Sequence, residues 1–197
     1  MRRRTLLALP AFLSQPARAR SGFVPTEQGI ALLRGGGLNL YLRHAITDRS
    51  QSDTGRRGDR AAQRNLSAAG RAQAAALGEA FRRHGITVAE VLSSEVFRAR
   101  DTAELAFGGA RIVPSLIADD YTSGDARADA AEVSRLLGQT VSGGNRVLVG
   151  HIVPMGMILG RSLAQEEFPE GAIGLFRPSG ADWRFLGFLA AGQLTGN

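Results

Sequence analysis

The chain contains no cysteine and no lysine, and each absence removes a class of chemistry. Without cysteine there can be no disulfide and no thiolate metal site. That absence is compatible with an oxidising compartment but does not argue for one. Without lysine, no side-chain amine can form a Schiff base and no P-loop lysine can hold a phosphate. Every basic side chain is an arginine, a bias that codon usage explains. No apolar run approaches the ~18 residues of a membrane span. At 197 residues the chain is long enough for one well-cored domain and short for two.

The beginning of the chain reads as a targeting segment. Arg2-Arg3-Arg4 forms a charged region, Thr5 to Leu13 a short apolar region, and Ala17-Arg18-Ala19 fits an A-x-A cleavage site. The adjacent arginines before Thr5-Leu6-Leu7 also permit twin-arginine export. The expectation is a cleaved signal peptide over residues 1–19, a single domain over 20–197 and a periplasmic location. A basic tail on a cytoplasmic protein is the alternative. Cleavage after Ala19 removes four arginines and no acids, so the formal charge falls from +6 to +2. The apparent basicity then belongs mostly to the leader, which weighs against a nucleic-acid partner.

Two of the three histidines each follow a short apolar run directly. Leu38 to Leu42 runs into Arg43-His44, and Arg146 to Val149 runs into Gly150-His151. Both runs read as buried strands ending at turns, and in an open α/β sheet ligands bind at the carboxyl ends of parallel strands. Further strands are expected at Val88–Leu92, Arg111–Val113, Ala172–Arg177 and Trp183–Leu189. Helices are expected over Thr26–Leu33, from the Ser67 cap to about His84, and over Glu95–Phe107, Ala126–Leu137 and Ile152–Leu163. This order predicts a three-layer αβα sandwich with a mainly parallel central sheet. Residues Asp48 to Arg64, with three aspartates and five arginines, follow neither period and read as a long loop. Its Arg49, Arg56, Arg57 and Arg60 belong either to a solvated flap or to contacts with an acidic substrate.

Arg43 beside His44 would be costly to bury without an anion or a carboxylate partner. A third element lies at Ser93-Ser94-Glu95-Val96-Phe97-Arg98, where a strand ends and Arg98 falls in the first turn of a helix, a ready anion site. His151 supplies a fourth corner. His84 reads instead as a helix C-terminal residue favoured by the helix dipole.

These stretches resemble, in order, four signatures of the histidine phosphatase superfamily, which includes the cofactor-dependent phosphoglycerate mutases and acid phosphatases. Arg43-His44-Ala45-x-Thr47 resembles its Arg-His-Gly-x-Thr motif. Arg64-Asn65-Leu66-Ser67 through Gly70 to Gln73-Ala74 resembles its R-x-L-S-x-x-G-x-x-Q-A helix start. Ser93-Ser94 through Arg98-Ala99 to Thr102 resembles its S-S-x-x-x-R-A-x-x-T segment, and Val149-Gly150-His151 its late glycine-histidine.

The resemblance implies a phosphoglycerate mutase-like fold and a phosphatase of small phosphorylated substrates that needs no metal and no cofactor. His44 would form a phosphohistidine, while Arg43, Arg98 and His151 would surround the phosphoryl oxygens. Thr47 would either donate a hydroxyl to the phosphate or shape the turn. The glutamate that the family's simpler branch places in a Leu-x-Glu context is Ala118 here, which leaves Asp119 as the candidate general acid, with Asp120 beside it. Ala45 for the signature glycine, Ser50 for a frequent asparagine and Ile152 for a common polar residue leave the pocket chemistry in place and weigh against mutase activity. Export favours small phosphate esters, a phosphosugar or the core of lipopolysaccharide as substrate. A cytoplasmic location favours protein phosphohistidine. Three rivals follow from the same residues: a silent phosphate-binding module, a metal hydrolase using both histidines, and a mutase.

Overall fold

The structure, a computed structural model, describes residues 22–196, so the leader expected over residues 1–19 lies outside the described residues. Helix α1 (Thr26–Gly35) leads into strand β1 (Asn39–Arg43), a long loop and helix α2 (Ala68–Arg83). Strand β2 (Val88–Ser93), helix α3 (Phe97–Phe107), the two-residue strand β3 (Arg111–Ile112) and helix α4 (Ala126–Gly138) follow. Strand β4 (Asn145–Gly150), helix α5 (Ile152–Leu159), strands β5 (Ile173–Pro178) and β6 (Trp183–Leu189) and helix α6 (Ala191–Thr195) complete the chain.

The six strands form one sheet in the order β3-β2-β4-β1-β5-β6. The first four are mutually parallel, while β5 runs antiparallel to its neighbours β1 and β6. The central strands β1 and β4 are buried on both faces, which explains their near-continuous apolar runs. Alternation along β1 divides the core in two. Leu40 and Leu42 pack with Leu33 of α1, Leu77 and Phe81 of α2, Ala103 of α3 and Leu194 of α6. Tyr41 faces the other way, into a cluster with Val133 and Leu137 of α4 and Met155 of α5. The result is the expected αβα sandwich, with a mainly parallel sheet flanked by helices.

Three elements depart from the sequence expectation. Helix α3 starts at Phe97 rather than Glu95, because Ser94 bends the chain and its Oγ accepts from the Val96 amide at 3.2 Å. Helix α5 stops at Leu159 rather than Leu163. Gly160 there adopts a left-handed conformation, φ 68°, and the Arg161 amide turns back to the Gly156 carbonyl. Helix α6 carries too few residues to show a period and is anchored by the buried Leu194.

Candidate active site

Strand register delivers both histidines to one point. Arg43 at the end of β1 is level with Gly150 at the end of β4, so His44 and His151 emerge side by side. Their ring centroids lie 5.4 Å apart, and the His44 amide donates to the Gly150 carbonyl at 3.1 Å. Next to them, the Ser94 amide donates to the Val149 carbonyl at 3.0 Å, which brings the start of α3 alongside. Tyr41, one turn of the pleat earlier on β1, braces His151 from below. Its hydroxyl donates to the His151 carbonyl and accepts from the His151 amide, both at 3.0 Å. A side chain at Gly150 would collide with that hydroxyl.

The environment fixes the state of His44. Its Nδ1 lies 2.9 Å from the Ala45 carbonyl, which can only accept, so Nδ1 carries the proton and Nε2 carries the lone pair. Burial, and after it the charge of Arg98, holds the imidazole well below the ordinary histidine pKa and therefore neutral. His151 is neutral for the same two reasons. Its Nε2 is 3.0 Å from Ser94 Oγ, while its buried Nδ1 has no protein partner. Ser94 Oγ, which accepts from Val96, still has a proton to donate to Nε2, and in that tautomer Nδ1 is a donor that can meet a bound oxyanion.

Three arginines surround this pair. Arg43 is buried, anchored by Phe168 O at 2.5 Å and Gln165 Oε1 at 2.7 Å. Burial lowers its pKa to about 10, opposed by the carboxylate of Glu170. Arg98, also buried, pairs through one nitrogen with both oxygens of Asp53 at 3.0 and 3.2 Å. Arg64 is partly buried and close enough for its charge to depress both histidines. The Nε atoms of Arg43, Arg64 and Arg98 are buried without a protein acceptor, as is Nδ1 of His151. Four unpaired nitrogens around a neutral imidazole suit an oxyanion and repel a metal dication. Among the described residues, no three histidine, aspartate or glutamate side chains gather as metal ligands.

Thr47 and Asp119 flank this centre, whereas His84 lies away from it at the carboxyl end of α2. Thr47 commits its hydroxyl proton to Glu170 Oε1 at 2.7 Å, so it holds the turn after β1. Asp119 is half-buried at the start of a short 3-10 turn, and burial followed by the charge of Asp120 raises its carboxyl pKa. His84 caps α2, with Nε2 3.0 Å from Leu194 O.

The long loop is pinned rather than loose. Arg49 pairs with Glu170, Arg56 with Asp59, Arg57 with Glu95, and Arg60 with Asp101 through two bonds. Asp53, Tyr121, Gln165 and Glu170 are not marked by any sequence pattern, and they support the site through contacts distant in the chain. Asp53 had one available signal: a buried Arg98 requires a carboxylate, and the neighbouring loop offers three. The Asp53 carboxyl, raised by burial but more strongly lowered by the Tyr121 hydroxyl, the Arg64 amide and Arg98, ends below its ordinary pKa and is ionised.

Residues 40–120 match the histidine phosphatase superfamily (branch 1). Solved structures share the fold. The protein histidine phosphatase SixA, complexed with tungstate, is 16% identical and aligns over 80% of this chain and 99% of its own, with a TM-score of 0.58. A phosphoserine phosphatase from Entamoeba histolytica, in complex with 3-phosphoglyceric acid, is 15% identical over 80% of this chain and 98% of its own, with a TM-score of 0.56. The alpha-ribazole phosphatase from Shigella flexneri is 15% identical over 78% of this chain and 96% of its own, with a TM-score of 0.55. No curated protein sequence matches the chain.

Proposed function

From the match of residues 40–120 to the histidine phosphatase superfamily (branch 1), we propose that the chain is a member of that superfamily and hydrolyses a phosphomonoester through a phosphohistidine on His44, without a metal. The observation that carries this reading is the set of four buried, unpartnered nitrogens of Arg43, Arg64, Arg98 and His151 beside a histidine whose lone pair is on Nε2. A phosphoryl group supplies acceptors for all four. The named substrates of its structural relatives, protein phosphohistidine and phosphoserine among them, differ in the leaving group and share the phosphoryl.

In the first step His44 Nε2 forms a bond to phosphorus, the ester P–O bond breaks, and the leaving oxygen takes a proton from Asp119. In the second, water attacks phosphorus, Asp119 takes its proton, and the N–P bond breaks to release phosphate. The charge that spreads over the three phosphoryl oxygens meets guanidinium and imidazole N–H groups already in place. Burial favours the protonated form of Asp119, as a general acid requires.

The test is hydrolysis of p-nitrophenyl phosphate between pH 4 and 8 with excess chelator, comparing wild type with His44→Ala. Turnover by wild type alone is expected. Activity that persists in the variant overturns the covalent mechanism, and phosphate binding without turnover in wild type assigns the fold to a silent binder. Asp119→Asn should slow alkyl esters far more than p-nitrophenyl phosphate, whose leaving group needs little protonation; equal losses would remove Asp119 from the acid role.

A further inference from the structure

A groove of about 730 Å3 lies between α4 and α5. That is within the range of small-ligand sites. Ile152, Val153 and Met157 of α5 face Ala131 of α4 across it, and Leu163 closes one side. Four large hydrophobic side chains are exposed among the described residues, and two of them, Val153 at 41% and Met157 at 38%, line this groove. One turn apart on α5, they place two partly exposed apolar side chains side by side in the groove.

Topology connects the groove to the catalytic rim. Helix α4 precedes β4 and α5 follows it, so the amino-terminal ends of both helices lie at the carboxyl ends of the parallel strands. Ile152, in the wall, directly follows His151. Gln165, also in the wall, accepts the hydrogen bond from Arg43 at 2.7 Å. Arg127 stands in the lining at the same end, exposed and without an ion pair among the described residues. The groove has an apolar strip along α5 and polar groups from Ser134, Arg161, Ser162 and Gln165, and it adjoins the anion pocket at Gln165 and Ile152, a layout that fits a ligand with a phosphate head and an apolar body.

We propose that this groove is the leaving-group site, and that the substrate is a phosphate monoester of an extended apolar alcohol. The inference rests on the phosphatase reading above for the position of the phosphate. The head would bind among Arg43, Arg98 and His151, the chain would lie along Val153 and Met157, and Arg127 would draw the anion to the mouth. Preference would come from burial of carbon, at up to about 4-fold in affinity per methylene fully removed from water.

The experiment is calorimetric binding of methyl-, butyl- and octylphosphonate, which cannot be hydrolysed, to the full chain and to Met157→Glu, below the concentration at which the octyl chain forms micelles. Affinity that climbs at least 10-fold from methyl to octyl, with an octyl-to-methyl ratio that collapses in Met157→Glu, supports the proposal. A flat series in protein that binds methylphosphonate overturns it and leaves the phosphatase reading intact; a dimer in sedimentation would then assign the groove to a second copy of the chain. A steep series unchanged by Met157→Glu places the chain elsewhere and also overturns it. No binding of any phosphonate overturns the phosphate pocket itself.

Discussion

Arg98 carries an ionised carboxylate on one nitrogen and leaves its buried Nε open, so Asp53 orients the guanidinium while part of it remains available to an anion. Arg98→Ala is expected to cost about 100-fold in kcat/KM, near 3 kcal/mol, by analogy with loss of an oxyanion donor. Asp53→Asn should cost less, because it loosens the clamp without removing it; a loss equal to that of Arg98→Ala would mean that Asp53 acts on substrate itself. The histidines predict a pH dependence of stability. Both are depressed in the fold, first by burial and next by Arg98. Below the unfolded pKa near 6.5, the unfolded chain takes up protons that the folded site refuses. Their contribution is therefore complete above pH 6.5 and falls as the pH drops toward the depressed folded values, by at most about 1.4 kcal/mol per pH unit for each ring. Urea unfolding at pH 7, 6 and 5 checks this, and His44→Ala should reduce the slope; an identical slope would contradict the buried neutral state.

At the level of elements, much of the site is readable as text because strands carry it. An apolar run that stops at a polar pair marks the end of a buried strand, and parallel strands place their ends together, so His44 and His151 could be expected on one rim. The supports of the site were not readable in the same way. Asp53 lies in an aperiodic polar loop, Glu170 meets Thr47 across 123 positions, and Gln165 meets Arg43 across 122. No local pattern records such pairs. The apolar spacing runs past the end of α5 because Leu163 continues it beyond Gly160, although Leu163 packs from a loop. Gly70 shows a constraint of this kind that can be tested. It sits in the first turn of α2 against the backbone carbonyl of Ile46, and a methyl group there would overlap that oxygen. Gly70→Ala should destabilise the fold by roughly 1–3 kcal/mol and, because Ile46 lies within the Arg43–Thr47 turn, also lower phosphatase activity. Thermal unfolding and turnover measured together check it; an unaltered melting temperature would show that the turn yields without cost.

For the whole molecule, the pocket is where distant parts of one chain converge: the end of β1, the start of α3, the loop through Arg64, and the turn from β4 into α5. Each brings positive charge or an unpaired N–H to a small buried volume, so an anion seated there ties four segments together. Inorganic phosphate at 100 times its dissociation constant should stabilise the fold by about 2.7 kcal/mol, visible as a higher Tm; an unchanged Tm would mean that phosphate does not bind. Phosphate is also what the proposed reaction releases. Buffers that preserve the protein best would therefore also inhibit it most, and an activity screen in phosphate-rich medium would record a robust, folded and silent enzyme.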